Sequence, residues 1–186
     1  KDNVEIINRK KAKGKPPFEQ DGDDLVPPMP SFGEGERLLV TGSTHNEWGF
    51  RKTADPVVQQ KLVSRLSDKI LLNQDKIIKT EGYFIDDAEI GIIAYGITAR
   101  ASLKAVKVLR EKGVKAGLLR LKTLWPFPEK AVSGLSARVK KLIVPEMNLG
   151  QIVREVERIA ECEVIRFSKV NGEVMTPTEI MQQIRE

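Results

Sequence analysis

Cysteine and histidine are almost absent: Cys162 and His45 are the only examples in 186 residues. One cysteine excludes an internal disulfide. It also excludes an iron–sulfur cluster or a Cys-rich zinc site built from this chain alone. One histidine excludes a His-based metal centre unless ligands come from elsewhere. Aromatics are scarce, at 5% of residues, and no motif that stacks bases on aromatic rings occurs. No apolar run approaches the roughly 20 residues of a membrane span, and no signal-peptide pattern opens the chain. A single free thiol suits a reducing cytoplasm, which is the expected location.

What is present is an ordinary globular composition, 40% hydrophobic and 31% charged. The net charge of +5 invites a nucleic-acid reading, but its distribution opposes one. Arg9, Lys10, Lys11, Lys13 and Lys15 crowd one arm, and Glu19, Asp21, Asp23 and Asp24 follow at once. Neither nucleic acid nor membrane is expected as a partner. The chain opens at Lys1 rather than Met and is expected to be part of a longer protein.

Five of the ten prolines fall before residue 31. Such a stretch cannot be a helix or a central strand. Residues 1–36 are therefore expected to form an extended interdomain connector, and residues 37–186 the folded domain. A short strand is expected over residues 38–41. Asp55-Pro56 then supplies an N-cap and a first-turn proline for a long helix over 56–78. Its apolar stripe would be Val58, Leu62, Leu66 and Ile70, with Val63 beside them.

From residue 88 onward, strands alternate with helices: "EIGIIAYG", a helix over 99–112 capped by Thr98, "VKAGLLRL", a short helix after "TLWPFP", "KKLIVPE", a helix capped by Asn148, "EVIRFSK", and a last helix capped by Thr176. Ala101, Ala105, Val106 and Leu109 would form the buried face of the first of these helices. The alternation implies right-handed crossovers and a mostly parallel sheet of about five strands, covered on both faces. The expected fold class is thus α/β, a three-layer α/β/α sandwich with "IGIIAY" buried at its centre.

Ligands of such sheets sit at the C-terminal strand ends. Those ends hold Gly96 and Thr98, Trp125, and Glu146 with Asn148. "YGITAR" reads as a tight turn with a Thr cap, or as an anion-holding helix start. Trp125 is expected to pack on helices or a partner surface, the alternative being a pocket cap. Glu146 is a general-base candidate, weighed against a capping and pairing role. A further group, Ser43, Thr44, His45, Asn46 and Glu47, lies in "TGSTHNEWG". No G-x-S-x-G elbow supports a hydrolase there. A turn held by side-chain bonds is expected, facing a ligand or an interface.

Taken in order, "GDDLVPPMPSFGEGERLLVTGSTHNEWGF", "ADPVVQQKLVSRLSDKI", "IIAYGITARASLKAVKVLREKGVKAGLLRLKTLWPFPEKAV" and "LIVPEMNLGQIVREVERI" resemble the C-terminal half of the alpha subunit of 2-oxoacid:ferredoxin oxidoreductases, the 2-oxoglutarate type most of all. The resemblance runs from about Asp21 to the end. It implies a transketolase C-terminal-like domain with one antiparallel strand. It implies an enzyme that converts a 2-oxoacid, coenzyme A (CoA) and oxidised ferredoxin to acyl-CoA, CO2 and reduced ferredoxin. It also implies thiamine diphosphate, Mg2+ and a [4Fe–4S] cluster held by a partner beta subunit, with further small subunits as possible partners. The family's pyrimidine-binding domain has no counterpart within this chain. "DGDD", the nearest approach to a diphosphate motif, lies in the Pro-rich stretch. No family catalytic or metal-binding residue therefore transfers to this sequence, and the isolated chain is expected to bind no cofactor. The rival reading is a stand-alone binding or regulatory module on a flavodoxin-like sheet.

Overall fold

The computed structural model describes residues 7–185. Residues 1–6 of the expected connector, and Glu186 of the expected last helix, lie outside the described residues. The chain divides between Lys76 and Ile77 into two compact units, rather than at residue 36 as expected.

The first unit has no strand among its described residues. The apolar run at 38–41, expected as a strand, has no pairing partner, so its periodicity alone does not make it one. Nor is the Pro-rich stretch extended. Positive φ angles at Lys13, Leu25 and Met29 reverse it, and it is tied down by bonds such as Met29 N–H to Pro17 O at 3.0 Å. Helix α1, Pro56–Leu71, starts as its sequence dictates: the Asp55 carboxylate accepts the N–H groups of Val57 and Val58 at 3.0 and 3.1 Å. The expected single helix breaks at Leu72 and Asn73, where Asn73 Nδ2 donates to the Lys69 carbonyl, and α2 follows over Gln74–Ile77. Val58, Leu62 and Ile70 are half-buried, whereas Val63 and Leu66 are exposed.

The second unit is a five-stranded sheet in the order β1-β3-β2-β4-β5. The strands are β1 (Thr80–Tyr83), β2 (Ile90–Tyr95), β3 (Ala116–Leu121), β4 (Lys141–Glu146) and β5 (Glu163–Ser168). All pair in parallel except β1, which runs antiparallel to β3. The fifth strand is thus 80–83 rather than 38–41. Helices α3 (Gly96–Glu111), α4 (Glu129–Ser136), α5 (Ile152–Ile159) and α6 (Pro177–Arg185) complete the unit.

The pleat divides the core. Ile92, Ala94, Leu118 and Ile143 face α3 and α6 through Ala105, Val106, Leu109 and Ile180. Ile93, Leu119, Leu142 and Val144 face α4 and α5 through Val132, Leu135, Val153 and Val156. Each large side chain buried this way contributes about 1.5–3 kcal/mol. The result is the expected three-layer α/β/α sandwich with β2 at its centre. Ala101, expected in the buried face of α3, is only half-buried, and Thr98, Ala99 and Ser102 are buried instead. Gly117 lets the chain cross closely over β3: a Cβ there would sit 2.7 Å from the Phe84 carbonyl oxygen.

Candidate functional site

The ten candidate residues fall into two sets. Ser43, Thr44, His45, Asn46 and Glu47 lie in the first unit, and Gly96, Thr98, Trp125, Glu146 and Asn148 in the second.

In the first unit, "HNEWGFR" forms a tight reversal closed by one bridge between His45 and Arg51. Asn46 organises it. Its side-chain oxygen accepts from Trp48 N at 3.1 Å and from Phe50 N at 3.0 Å, and its backbone N–H donates to Phe50 O. Gly49 has φ +85°, and a side chain there would collide with the Leu39 carbonyl oxygen. Glu47 O accepts from Phe18 N at 2.9 Å, and the Phe18 ring lies 4.6 Å from the His45 ring. His45 Nδ1 is 2.8 Å from Asn46 O. A carbonyl only accepts, so Nδ1 carries the hydrogen, and in the neutral ring Nε2 is the acceptor. Thr44 Oγ1 donates to Gln59 Oε1. Among the described residues, no nucleophile is bonded to the His45 ring. The segment is a turn, and it forms walls of two clefts, of about 660 and 430 Å3.

In the second unit, the connections after β2 and β4 diverge. One runs to α3 on one face of the sheet, the other to α5 on the opposite face. The β2–β4 ladder ends at Ile92↔Ile143, so the strand ends part. Sheets of this kind bind ligands in such a crevice. Here the chain's own side chains fill it. Glu146, 1% exposed, accepts from the Tyr95 hydroxyl at 2.9 Å, Asn148 Nδ2 at 3.2 Å, and the N–H groups of Ile152 and Val153 at 3.0 and 2.9 Å. Asn148 Nδ2 also reaches the Tyr95 hydroxyl at 2.9 Å. Burial pushes the Tyr95 phenol up to about 12, helped by the bond to Glu146 and its charge and opposed by Asn148. The phenol therefore stays protonated and donates.

This geometry favours capping over catalysis for Glu146. Its oxygens are committed to four donors, and it caps α5 in place of Asn148, the expected cap. Asn148 Oδ1 accepts from Gly150 and Gln151 in the preceding turn, and α5 begins only at Ile152. Thr98 is likewise not the N-cap of α3. Tyr95 holds that position, and the Thr98 hydroxyl donates back to Tyr95 O at 2.7 Å. Gly96 opens α3 with φ +54°. Trp125, expected to pack on helices or a partner surface, is 64% exposed, so it does not pack on the helices of this unit, whereas Phe127 packs on the α4 and α5 side. Tyr95 was missed as a site residue, although its place as the last residue of an apolar strand was a readable signal.

Among the described residues, no three His, Cys, Asp or Glu side chains converge in a way that suits a metal ion. Cys162 is half-buried, its thiol pushed up chiefly by burial, and one sulfur does not fit the ligand set of a cluster.

The fold and these sites have relatives. A family model described as pyruvate:ferredoxin oxidoreductase core domain II matches residues 88–180. A 2-oxoglutarate synthase subunit KorA from Methanocaldococcus jannaschii is 46% identical over 190 residues, covering 98% of this chain and 50% of that protein. The KorA subunit of Methanothermobacter marburgensis is 44% identical over 98% of this chain and 50% of its own length. The chain thus spans about half the length of these relatives. A solved 2-oxoglutarate:ferredoxin oxidoreductase from Magnetococcus marinus, with 2-oxoglutarate, coenzyme A and succinyl-CoA bound, superimposes with a TM-score of 0.83. It is 27% identical, over 97% of this chain and 32% of that one. A split-gene transketolase shares the fold alone, with a TM-score of 0.50 and 18% identity over 56% of this chain and 40% of that one. The match over 88–180 takes in four of the five strands and the helices between them, and the chain belongs to the pyruvate:ferredoxin oxidoreductase core domain II family.

Proposed function

We propose that this chain forms part of the alpha subunit of a 2-oxoacid:ferredoxin oxidoreductase of the 2-oxoglutarate type. The complex would convert a 2-oxoacid, CoA and oxidised ferredoxin to acyl-CoA, CO2 and reduced ferredoxin. The observation that carries this reading is the 46% identity to a KorA subunit along 98% of the chain. Within the complex, this chain serves assembly and the shaping of the site rather than the chemistry. In support, the crevice at its strand ends is filled by Tyr95, Glu146 and Asn148.

Thiamine diphosphate with its Mg2+, and the [4Fe–4S] cluster, belong to a partner beta subunit in this reading. Ferredoxin, CoA and further small subunits are engaged through the assembly in the same reading. One sulfur ligand, and no convergent carboxylates among the described residues, do not fit those groups to this chain, so its residues carry no step of the reaction. No helix among the described residues is long and apolar enough to cross a membrane. The half-buried free Cys162 suits a reducing cytoplasm.

The test is co-expression of the full-length subunit with its beta partner, followed by viologen-dye reduction with 2-oxoglutarate, pyruvate and 2-oxoisovalerate in the presence of CoA. The expected result is CoA-dependent reduction, fastest with 2-oxoglutarate. A stable complex that reduces dye with none of the three acids would overturn the reading.

A further inference from the structure

The smaller cleft of the first unit, about 430 Å3, has a one-sided lining. Two cations, Arg65 and Lys69, line it together with the hydroxyl residues Thr41, Ser43 and Thr44, and none of its described lining residues is Asp or Glu. The larger cleft shares Arg65 and His45 but adds Glu19, Glu47 and Asp68. With Lys61 also in its lining, the larger cleft has charges of both signs, whereas the Lys and Arg of the smaller one face no carboxylate in its lining.

Arg65 carries the second observation. Its Nη1 is buried and has no hydrogen-bond partner among the described residues. Burial pulls its pKa below the ordinary guanidinium range. Nη1 itself is sealed from solvent, so an oxyanion in the cleft would meet Arg65 through its less buried nitrogens, and the charge that burial disfavours would gain a partner. Arg65 also stands four residues from both Lys61 and Lys69 on α1, an i,i+4 row of three cations in which Asp68 is the helix's one carboxylate.

The hydroxyls sort by their bonds. Thr44 spends its hydrogen on Gln59. Thr41 Oγ1 accepts from Ser43 N at 3.2 Å, which leaves its own hydrogen to donate. The lining also includes the apolar side chains of Phe18, Met29 and Leu62. This is the make-up of a small-molecule site: a few convergent polar groups on an apolar wall, within a volume range of roughly 300–1,000 Å3.

We propose that this cleft is an oxyanion-binding site, in which Arg65 and Lys69, with the Thr41 and Ser43 hydroxyls, take a carboxylate or phosphate group. The oxyanion has two sources, a free small molecule or the carboxylate side chain of a partner subunit, and the same chemistry recognises both. The proposal goes beyond the oxidoreductase reading and does not rest on it, because its readout is binding rather than turnover.

The test uses the full-length protein in the assembly in which it purifies. Inorganic phosphate and succinate are titrated calorimetrically at constant ionic strength set with chloride, against wild type, Arg65→Met, Arg65→Lys and Lys69→Met. Subunit association is measured in parallel by sedimentation. A free-anion site gives binding of phosphate or succinate that weakens about tenfold or more in Arg65→Met and less in Arg65→Lys, the scale of one charged hydrogen bond. A partner carboxylate gives no such binding in wild type, but association that weakens by a similar factor in Arg65→Met. Should Arg65→Met fail to fold, Lys69→Met reads the same two arms. Anion titrations and association that are indistinguishable from wild type in the folded variants overturn the proposal.

Discussion

The Tyr95 hydroxyl donates to the buried Glu146 carboxylate at 2.9 Å, three residues beyond the point where the β2–β4 ladder ends at Ile92↔Ile143. Two strands that have stopped exchanging backbone bonds are held together at their tips by a phenol and a carboxylate. The same carboxylate caps α5 through Ile152 and Val153. One side chain thus fixes the ends of two strands and the start of a helix.

Replacing Glu146 by Ala strands two backbone N–H groups, a phenol and an amide in a dry site. The expected loss is about 3 kcal/mol of unfolding free energy, the scale for orphaning buried partners of a charged group. Tyr95→Phe keeps the packing and removes one charge-assisted bond, for a loss of about 1–2 kcal/mol. Urea unfolding measures both. A Glu146→Ala protein as stable as wild type would remove the carboxylate from its capping role.

Tyr95 also sets an alkaline limit. Its folded pKa, about 12, lies above the ordinary 10.0. The folded state therefore holds the proton more tightly than the unfolded chain does. The stabilisation is complete below pH 10 and is lost as the pH climbs from 10 to 12. Phenolate absorbance on alkaline titration should show a late-ionising tyrosine in the folded protein that Tyr95→Phe abolishes, leaving Tyr83 as the remaining tyrosine. A single early transition for both tyrosines in folded wild type would contradict this.

At the acid end the sign reverses. The carboxylate of Glu179 is held down to about 2, first by its bond to Lys169 and then by the N–H and hydroxyl of Thr176. Thr176 N donates to Glu179 Oε2 at 2.7 Å, and Glu179 N donates to Thr176 Oγ1 at 3.2 Å, a reciprocal cap at the start of α6. A depressed folded pKa gives stability that is present above 4.5 and lost as the pH falls from 4.5 toward 2. Glu179→Gln should flatten the stability profile in that window, as read by thermal unfolding across acid buffers. An unchanged slope would assign the acid sensitivity elsewhere.

These elements differ in how readily the sequence showed them. Asp55-Pro56 and Thr176-Pro177 were readable because a cap acts on N–H groups only two or three residues away. "IGIIAY" was readable because an apolar run on both faces fits only between two helical layers. β1 escaped because "TEGY" is short, polar and at an edge, and it exists only through its register with β3. The 38–41 run misled for the converse reason, since apolar character does not supply a partner. The role of Glu146 was half-legible. Its place at a strand end was clear, but its bonds to Tyr95, 51 residues away, are set by the strand order. Arg65 gave no signal, because one cation in a charged helix looks like any other until its burial is known.

The chain alone offers one thiol and no convergent metal ligands among its described residues. The purified 186-residue chain is therefore expected to be colourless, to bind no thiamine diphosphate, and to reduce neither ferredoxin nor viologen with any 2-oxoacid and CoA. Absorption spectra, calorimetry and dye assays check each point. Turnover by this chain without a partner would overturn the division of labour proposed above.

The sheet's outer strands have a consequence for solubility. β1 is four residues long, contains a glycine, and carries Glu81, which pairs with Arg120 and Lys122. At the other margin, β5 presents Glu163 and an Arg166 that pairs with Glu157. A short charged border and a second charged border give an incoming strand little to zip onto. Such a sheet is built to terminate rather than to propagate from molecule to molecule, which guards the chain against growing into fibrils through its own edges.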